Sequence, residues 1–274
     1  MGVIRLANLP PIKITKMTIF NSRDFFKRTI KHPEEFYIIH YSCQNLFDDN
    51  ESLSPRITSI AVTHYATGQT TSFSTHAIAE ELGIERENVM AQFNEIESAL
   101  LTRFYDFVRD RRDKIWVHWN MRNLTYGFEH LEHRYRVLGN GDATAIPVER
   151  RLNLNDMLAR KYGKQYAKHP KLLSLMELNG GRHRHFLSGA EEVEAFNNSN
   201  FIRMHNSTLA KVGFFSAVIQ KASKGKLKTS SKGFGVMLDK AFESRLAKFV
   251  GLLSAIISLG VLFKGVPLLI SNLL

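Results

Sequence analysis

Short apolar runs of β character alternate in this chain with longer stretches of helical spacing. Phe36–Ser42 (FYIIHYS) and Ile57–Tyr65 (ITSIAVTHY) read as strands. Ala66–Gln69 reads as a hairpin turn and Thr70–Ser74 as a third strand. A short helix is expected near Thr75–Leu82, and a long amphipathic one from about Glu87 to Arg111. In the latter, Val89, Phe93, Ile96, Leu100, Phe104 and Phe107/Val108 recur at helical spacing. Lys114–Trp119 (KIWVHW) is the fourth strand, and Thr125–Leu138 the next helix. Further helices are expected at Asn153–Tyr162, with Asn153 as N-cap, at Lys171–Leu178, from Ser188 or Gly189 through Phe196, and within Asn200–Ala222. The fold class expected is α/β: a mixed sheet with flanking helices, followed by a hydrophobic C-terminal segment.

That last segment changes the picture. Lys, Ser and Gly dominate Ser223–Gly235, as in a solvated linker. Beyond it Phe234, Leu238, Phe242, Leu246 and Phe249 lie on one helical stripe. Phe249–Phe263 carries no charge, Lys264 and Pro267 interrupt, and Leu268–Leu274 is again uncharged. A bilayer core needs about 20 apolar residues, and Phe249–Leu274 as one helix would reach about 39 Å. Gly251/Ala255 and Ser254/Ser258 are small residues four apart, a spacing that lets helices approach closely in lipid. Lys264 could snorkel to a headgroup or line a shared polar path. Eight Lys and Arg residues between Lys221 and Lys248 flank the run, opposed by Asp239 and Glu243. Such a flank marks the cytoplasmic side of a membrane. The competing reading is a buried C-terminal helix. Met1–Pro11 carries only a short apolar stretch, so a secretory signal is not expected there. The expected organisation is an N-terminal extension (1–35), a soluble domain (36–222), a basic linker (223–235) and an amphipathic helix with a transmembrane tail (236–274).

Charge and chemistry narrow the function. A net charge of +11 attracts polyanions, either nucleic acid or an anionic membrane face. Hydrophobic residues at 44% place the chain among globular proteins and not disordered ones. The single cysteine, Cys43, allows no internal disulfide; it sits in an apolar run and reads as inert. There is no Walker A loop, no Gly-x-Ser-x-Gly and no Cys-x-x-Cys pair. Glu129-His-Leu-Glu-His133 spaces its histidines three apart, not the four of a zincin, and reads as a solvated helix face with Glu–His pairs. Arg122, Arg134 and Arg136 near His118–Asn120, and Arg182–His185 in the loop Asn179–Gly189, are candidates to grip phosphates. Trp116 and Trp119 flank the same element; an exposed Trp119 could stack a base, and a core position is expected for one or both.

The order β-β-β-α-β-α, with a meander first, resembles the start of an RNase H-like core, in particular that of DEDD-type 3′–5′ exonucleases. Those enzymes carry Asp-x-Glu on the first strand, a His-Asn-like element after a later strand, and further aspartates on two helices, so that four carboxylates hold two divalent metals. Here His40-Tyr-Ser42 stands in place of Asp-x-Glu, Val117-His-Trp-Asn120 resembles the His-Asn element, and Tyr126 or Gly127 lies near the expected Asp. Met204–Lys211 has no carboxylate. Asp48, Asp49, Glu129 and Glu132 do not sit where the motif asks. The resemblance therefore implies a nuclease-shaped domain without catalytic residues, metal or cofactor. Its expected partner site is His118, Asn120, Arg122, Arg134, Arg182 and Arg184.

The overall build resembles membrane-bound antiphage effectors encoded beside retron reverse transcriptases. That resemblance implies a non-catalytic sensor or effector on the inner membrane, its soluble domain facing the cytoplasm. It implies three partners: lipid, a nucleic acid or nucleoprotein such as a reverse transcriptase with its DNA–RNA product, and further copies of the chain through the tail. The implied action is abortive infection by membrane permeabilisation. Two alternatives stay open: a metal-dependent nuclease with displaced carboxylates, and a soluble nucleic-acid-binding module.

Overall fold

A computed structural model describes residues 21–45, 54–122 and 126–231. The candidate membrane residues Gly251, Ser254, Ala255, Ser258, Lys264 and Pro267 lie outside the described residues, as do Asp48 and Asp49. Among the described residues no helix is long and apolar enough to cross a membrane.

The described residues fall into two compact units, 21–161 with 181–227, and 162–180 with 228–231. In the larger unit α1 (Ser22–Lys31) precedes a meander of β1 (Phe36–Cys43), β2 (Ile57–His64) and β3 (Thr70–Ser74). Then come α2 (Thr75–Glu81), α3 (Phe93–Arg109), β4 (Ile115–His118), α4 (Phe128–Val137), β5 (Arg151–Asn153) and α5 (Leu154–Tyr162), whose last residue belongs to the smaller unit. The smaller unit holds α6 (Lys171–Asn179); α7 (Gly189–Asn197) and α8 (Phe201–Ser223) return to the larger.

The sheet order is β3-β2-β1-β4-β5. β1–β2 and β2–β3 are antiparallel, whereas β1–β4 and β4–β5 are parallel. The β2–β3 turn places Gly68 at φ +71, a backbone conformation glycine adopts without a Cβ penalty. Alternate residues of a strand face opposite sides of a sheet, and β1 shows the consequence. Ile39, Tyr41 and Cys43 enter the large core with Phe93, Ile96, Leu100 and Phe104 of α3 and Trp116 of β4. His40 and Ser42 face α8 instead, through the Phe215 ring at 5.7 Å and the Thr208 hydroxyl at 2.8 Å.

The expected α/β class is therefore present as a five-stranded mixed sheet with flanking helices. The first four strands lie where the pattern put them. β5 was not anticipated: three residues are too short for alternation to show, and they are a strand because Trp116–His118 offers a parallel edge. The long helix begins at Phe93 and not Glu87, because Arg86–Asn88 forms a 3-10 turn that still buries Val89. α4 begins at Phe128 rather than Thr125. Asn153 does act at the start of α5, accepting the Asn155 amide at 3.1 Å. α1, from the stretch read as an extension, puts Phe25 5.8 Å from the Phe36 ring and bonds α8 through Thr29–Ser223 at 2.9 Å.

Within the smaller unit, Asn179 ends α6 and reads both backbone groups of Lys228: its Nδ2 donates to the carbonyl at 2.9 Å and its Oδ1 accepts the amide at 3.1 Å. The Ser230 amide donates to the Tyr166 carbonyl at 2.8 Å. The stretch read as a solvated linker is thus anchored as far as Ser231, whose hydroxyl donates to the Tyr162 carbonyl at 2.8 Å. Its composition carried no sign of these backbone partners.

Candidate nucleic-acid interface

β1, β4 and β5 run parallel, so their carboxyl ends share one edge of the sheet, where Asn120 follows β4. Asn120 has φ +56; asparagine tolerates this left-handed conformation better than most side chains. Its Oδ1 accepts from Asn155 Nδ2 at 3.0 Å, Arg122 Nη2 at 3.2 Å and Asn153 Nδ2 at 3.3 Å. Its amide donates to Asn153 Oδ1 at 3.3 Å. Asn120 thereby ties the end of β4 to the start of α5. Arg122 reaches on to Asp156 at 2.6 Å, with both side chains partly exposed.

Of the other predicted residues of this region, Arg136 is exposed and lies 3.4 Å from Asp142, and the rest face inward. His118 is buried against the Phe128 ring at 5.4 Å and accepts the Met121 amide on Nδ1 at 3.2 Å. Burial pushes its pKa down to about 3, so it is neutral and cannot grip a phosphate. Both tryptophans are core; Trp119 stacks on Phe215 with ring planes 9° apart. Arg134, predicted as a phosphate ligand, is buried in a bidentate pair with Glu97, at 2.8 Å and 2.5 Å. It lies on the face of α4 that carries His130 and Leu131, all buried.

The same face corrects the reading of Glu129–His133 as solvated. His130 is fully buried, joined through Nδ1 to the Tyr41 hydroxyl and through Nε2 to the Pro55 carbonyl, each at 2.9 Å. Glu129 and Glu132 pair with Arg151 instead of with neighbouring histidines.

At the centre of the sheet, beneath α8, lies a buried polar cluster that sequence reasoning missed. Ser42 donates to Glu192 at 3.0 Å and bonds Thr208 at 2.8 Å; Ser59 bonds Thr208 at 2.6 Å. Lys211 donates to the same Glu192 oxygen at 2.6 Å, and both side chains are about 5% exposed. Glu192 gave a faint signal: it is the second of two glutamates in the first turn of α7, and Glu191 alone completes the capping box with Ser188. His40 lies next to this cluster. Its Nδ1 meets the Tyr126 hydroxyl at 3.0 Å, and desolvation holds its pKa well below the usual histidine range.

The loop 181–187 presents charge outward, beside a cavity. Arg182 shapes it: one guanidinium nitrogen donates to the Phe186 carbonyl at 3.0 Å and to both Glu191 oxygens, at 2.7 and 2.6 Å. Arg182 also holds the Glu191 carboxyl down to about 2. His183 Nδ1 accepts the His185 amide at 3.2 Å, and Arg184 Nε donates to His185 Nε2 at 2.9 Å. A cavity of about 450 Å³ lies here, lined by the loop, Glu191 and Arg203 of α8. Arg184 and Arg203 are exposed, and among the described residues neither pairs with a carboxylate.

The structure therefore brings Arg182 and Arg184 together and adds Arg203. It places His118 and Arg134 in the core and leaves Asn120 and Arg122 in a strand-end cluster. No family model, no curated protein and no solved structure matches the chain.

Proposed function

We propose that this protein is a non-catalytic, membrane-attached module of RNase H-like build that binds nucleic acid or nucleoprotein through the loop cavity of Arg182, Arg184 and Arg203. The observation that carries the reading is the Lys211–Glu192 pair. On β1, Ser42 stands where a DEDD nuclease has an acidic ligand, and the position beside it holds a lysine ammonium. A lysine bonded to the nearest carboxylate supplies the positive charge that a divalent metal supplies in such an enzyme, without its Lewis acidity or open coordination sites.

Further support comes from topology and charge. A three-stranded meander with β4 added in parallel beside β1 is the arrangement an RNase H-like core requires. The carboxylates nearest the sheet are matched by cations: Glu97 by Arg134, Glu129 and Glu132 by Arg151, Asp156 by Arg122. Arg184 and Arg203 remain for phosphates, which take charge-assisted hydrogen bonds from guanidinium groups. The membrane part rests on the charge-free run of residues 249–263 behind its basic flank. On this reading the domain is a sensor on the inner-membrane surface, and the tail is the effector that permeabilises the membrane in antiphage defence.

Fluorescence anisotropy with short single-stranded oligonucleotides, run at several salt concentrations, tests the binding. Each phosphate contact contributes about 0.7 to the log–log salt slope for single strands. Arg184→Ala and Arg203→Ala are each expected to lower the slope by about that amount, and incubation with Mg²⁺ or Mn²⁺ to leave the oligonucleotide intact. Unchanged slopes overturn the binding site; digestion that Glu192→Gln abolishes overturns the non-catalytic reading. Membrane fractionation of the full chain beside a chain ending at Ser231 tests attachment separately, and full-length protein that stays soluble without detergent overturns it.

A further inference from the structure

The loop 181–187 is fixed to the body of the larger unit before any ligand arrives. The Phe186 amide donates to the His183 carbonyl at 2.9 Å, closing a turn, and the Leu187 amide donates to the Ser207 hydroxyl of α8 at 3.1 Å. The Phe186 ring is buried, with the Arg182 guanidinium 5.4 Å and the Lys211 ammonium 5.3 Å from its centroid. Donors held in place in this way lower the ordering cost of binding.

Two of those donors are imidazole N–H groups. His183 accepts the His185 amide on Nδ1 at 3.2 Å, and His185 accepts from Arg184 Nε on Nε2 at 2.9 Å. In a neutral ring the nitrogen that accepts a hydrogen bond carries no proton, so the opposite one does. His183 is left with Nε2–H and His185 with Nδ1–H, and neither group has a partner among the described residues. Arg184 keeps its terminal amino groups and Arg203 its whole guanidinium. These four side chains line the same cavity of about 450 Å³. The carboxylate in its wall, Glu191, is neutralised: Arg182 holds both oxygens, and the Ser188 amide donates to Oε2 at 2.7 Å.

We propose that this cavity takes the terminal phosphate of a nucleic-acid strand, a phosphomonoester, in preference to the diesters along its length. A phosphomonoester carries a charge of about −1.5 to −2 at neutral pH and presents three strong acceptor oxygens. A diester carries a single charge. Two uncommitted guanidinium groups and two imidazole N–H donors in one cavity match the end group in both charge and acceptor number. A surface that tracks a strand presents a groove with cations along it. In this cavity the uncommitted cations are Arg184 and Arg203 alone, gathered at one place.

The proposal rests on the binding reading above, and its test separates the two. Internally labelled single strands of one sequence end in a 5′-phosphate, a 3′-phosphate or hydroxyl groups only. Each is titrated with the full chain in mild detergent and followed by fluorescence anisotropy. One phosphorylated form should bind about tenfold tighter than the hydroxyl-ended strand, the gain of an added charge-assisted contact. His183→Ala and Arg203→Ala, both on exposed side chains, should each cut that preference to about threefold or less. Among the described residues the Arg203 side chain makes no bond to the loop, so its effect cannot come from a collapsed loop. A nucleoside monophosphate should compete less well than the phosphorylated strand; equal potency would make a free nucleotide the ligand and overturn the strand end. Equal affinity for all three strands, or a preference kept in Arg203→Ala, overturns the proposal and leaves the binding reading standing. No binding of any strand overturns both.

Discussion

Two basic regions of this protein look alike as sequence and differ as structure. Around β4 and α4 the cations Arg122, Arg134 and Arg151 each meet a carboxylate, and two of them are largely buried. In the 181–187 loop, Arg182 meets Glu191 while Arg184 and Arg203 remain exposed beside a cavity. A buried arginine is retained by the carboxylate it neutralises, whereas an exposed one without a partner stays available to an outside anion. Counting basic residues cannot separate these cases; counting their partners can.

The sharpest break of the comparison is Arg134→Ala. It leaves Glu97 buried without its counter-ion and should cost about 3–5 kcal/mol in urea unfolding. Oligonucleotide affinity of the remaining folded protein should not change. A stability loss under about 1 kcal/mol, or a loss of affinity in folded protein, would show that Arg134 belongs with the loop residues.

Lys211→Met tests the buried pair at the sheet centre in the same way, with a similar loss expected from an unpaired Glu192. Lys211→Met together with Glu192→Gln should recover a large part of it, since removing both charges removes the desolvation cost. A double variant no more stable than the single would mean that Lys211 acts through packing over the Phe186 ring, 5.3 Å from its Nζ.

Acid should destabilise the fold through the buried histidines of β4 and α4. Burial lowers the folded pKa of His118 to about 3 and of His130 to about 4, below the unfolded value of about 6.5. The unfolded chain binds these protons first, so the stability they contribute is fully present above pH 6.5. It is lost as the pH falls from there toward 4, at up to about 1.4 kcal/mol per group per pH unit. Urea titrations at pH 7, 6 and 5 should show this slope, reduced in His130→Gln. A flat profile would place both rings in contact with solvent.

Arg122→Ala should have the smallest effect. Its pair with Asp156 is partly exposed, and such pairs contribute about 0–1 kcal/mol. Neither stability nor salt slope should move beyond that range. A slope lowered as far as by Arg184→Ala would extend the binding face to the strand ends.

Periodicity alone located the strands β1 to β4 and the apolar stripe of α3, because burial on one face leaves its period in the sequence. It could not locate β5, whose three residues owe their conformation to the neighbouring edge, nor the partners of charged side chains. Arg134 and Arg184 are indistinguishable in a list of residues; one lies on the face of α4 that carries Leu131, and the other in a loop. Glu192 meets Lys211 and Ser42 only because α7 and α8 pack over β1, across sequence separations of 19 and 150 residues. The sequence by itself determined the α/β class, the meander, the core stripe and the excess positive charge, since these depend on local spacing and composition. Which charges are neutralised, which histidines are buried and where cations remain available was decided by the tertiary structure, because electrostatic pairing depends on distance through space and not along the chain.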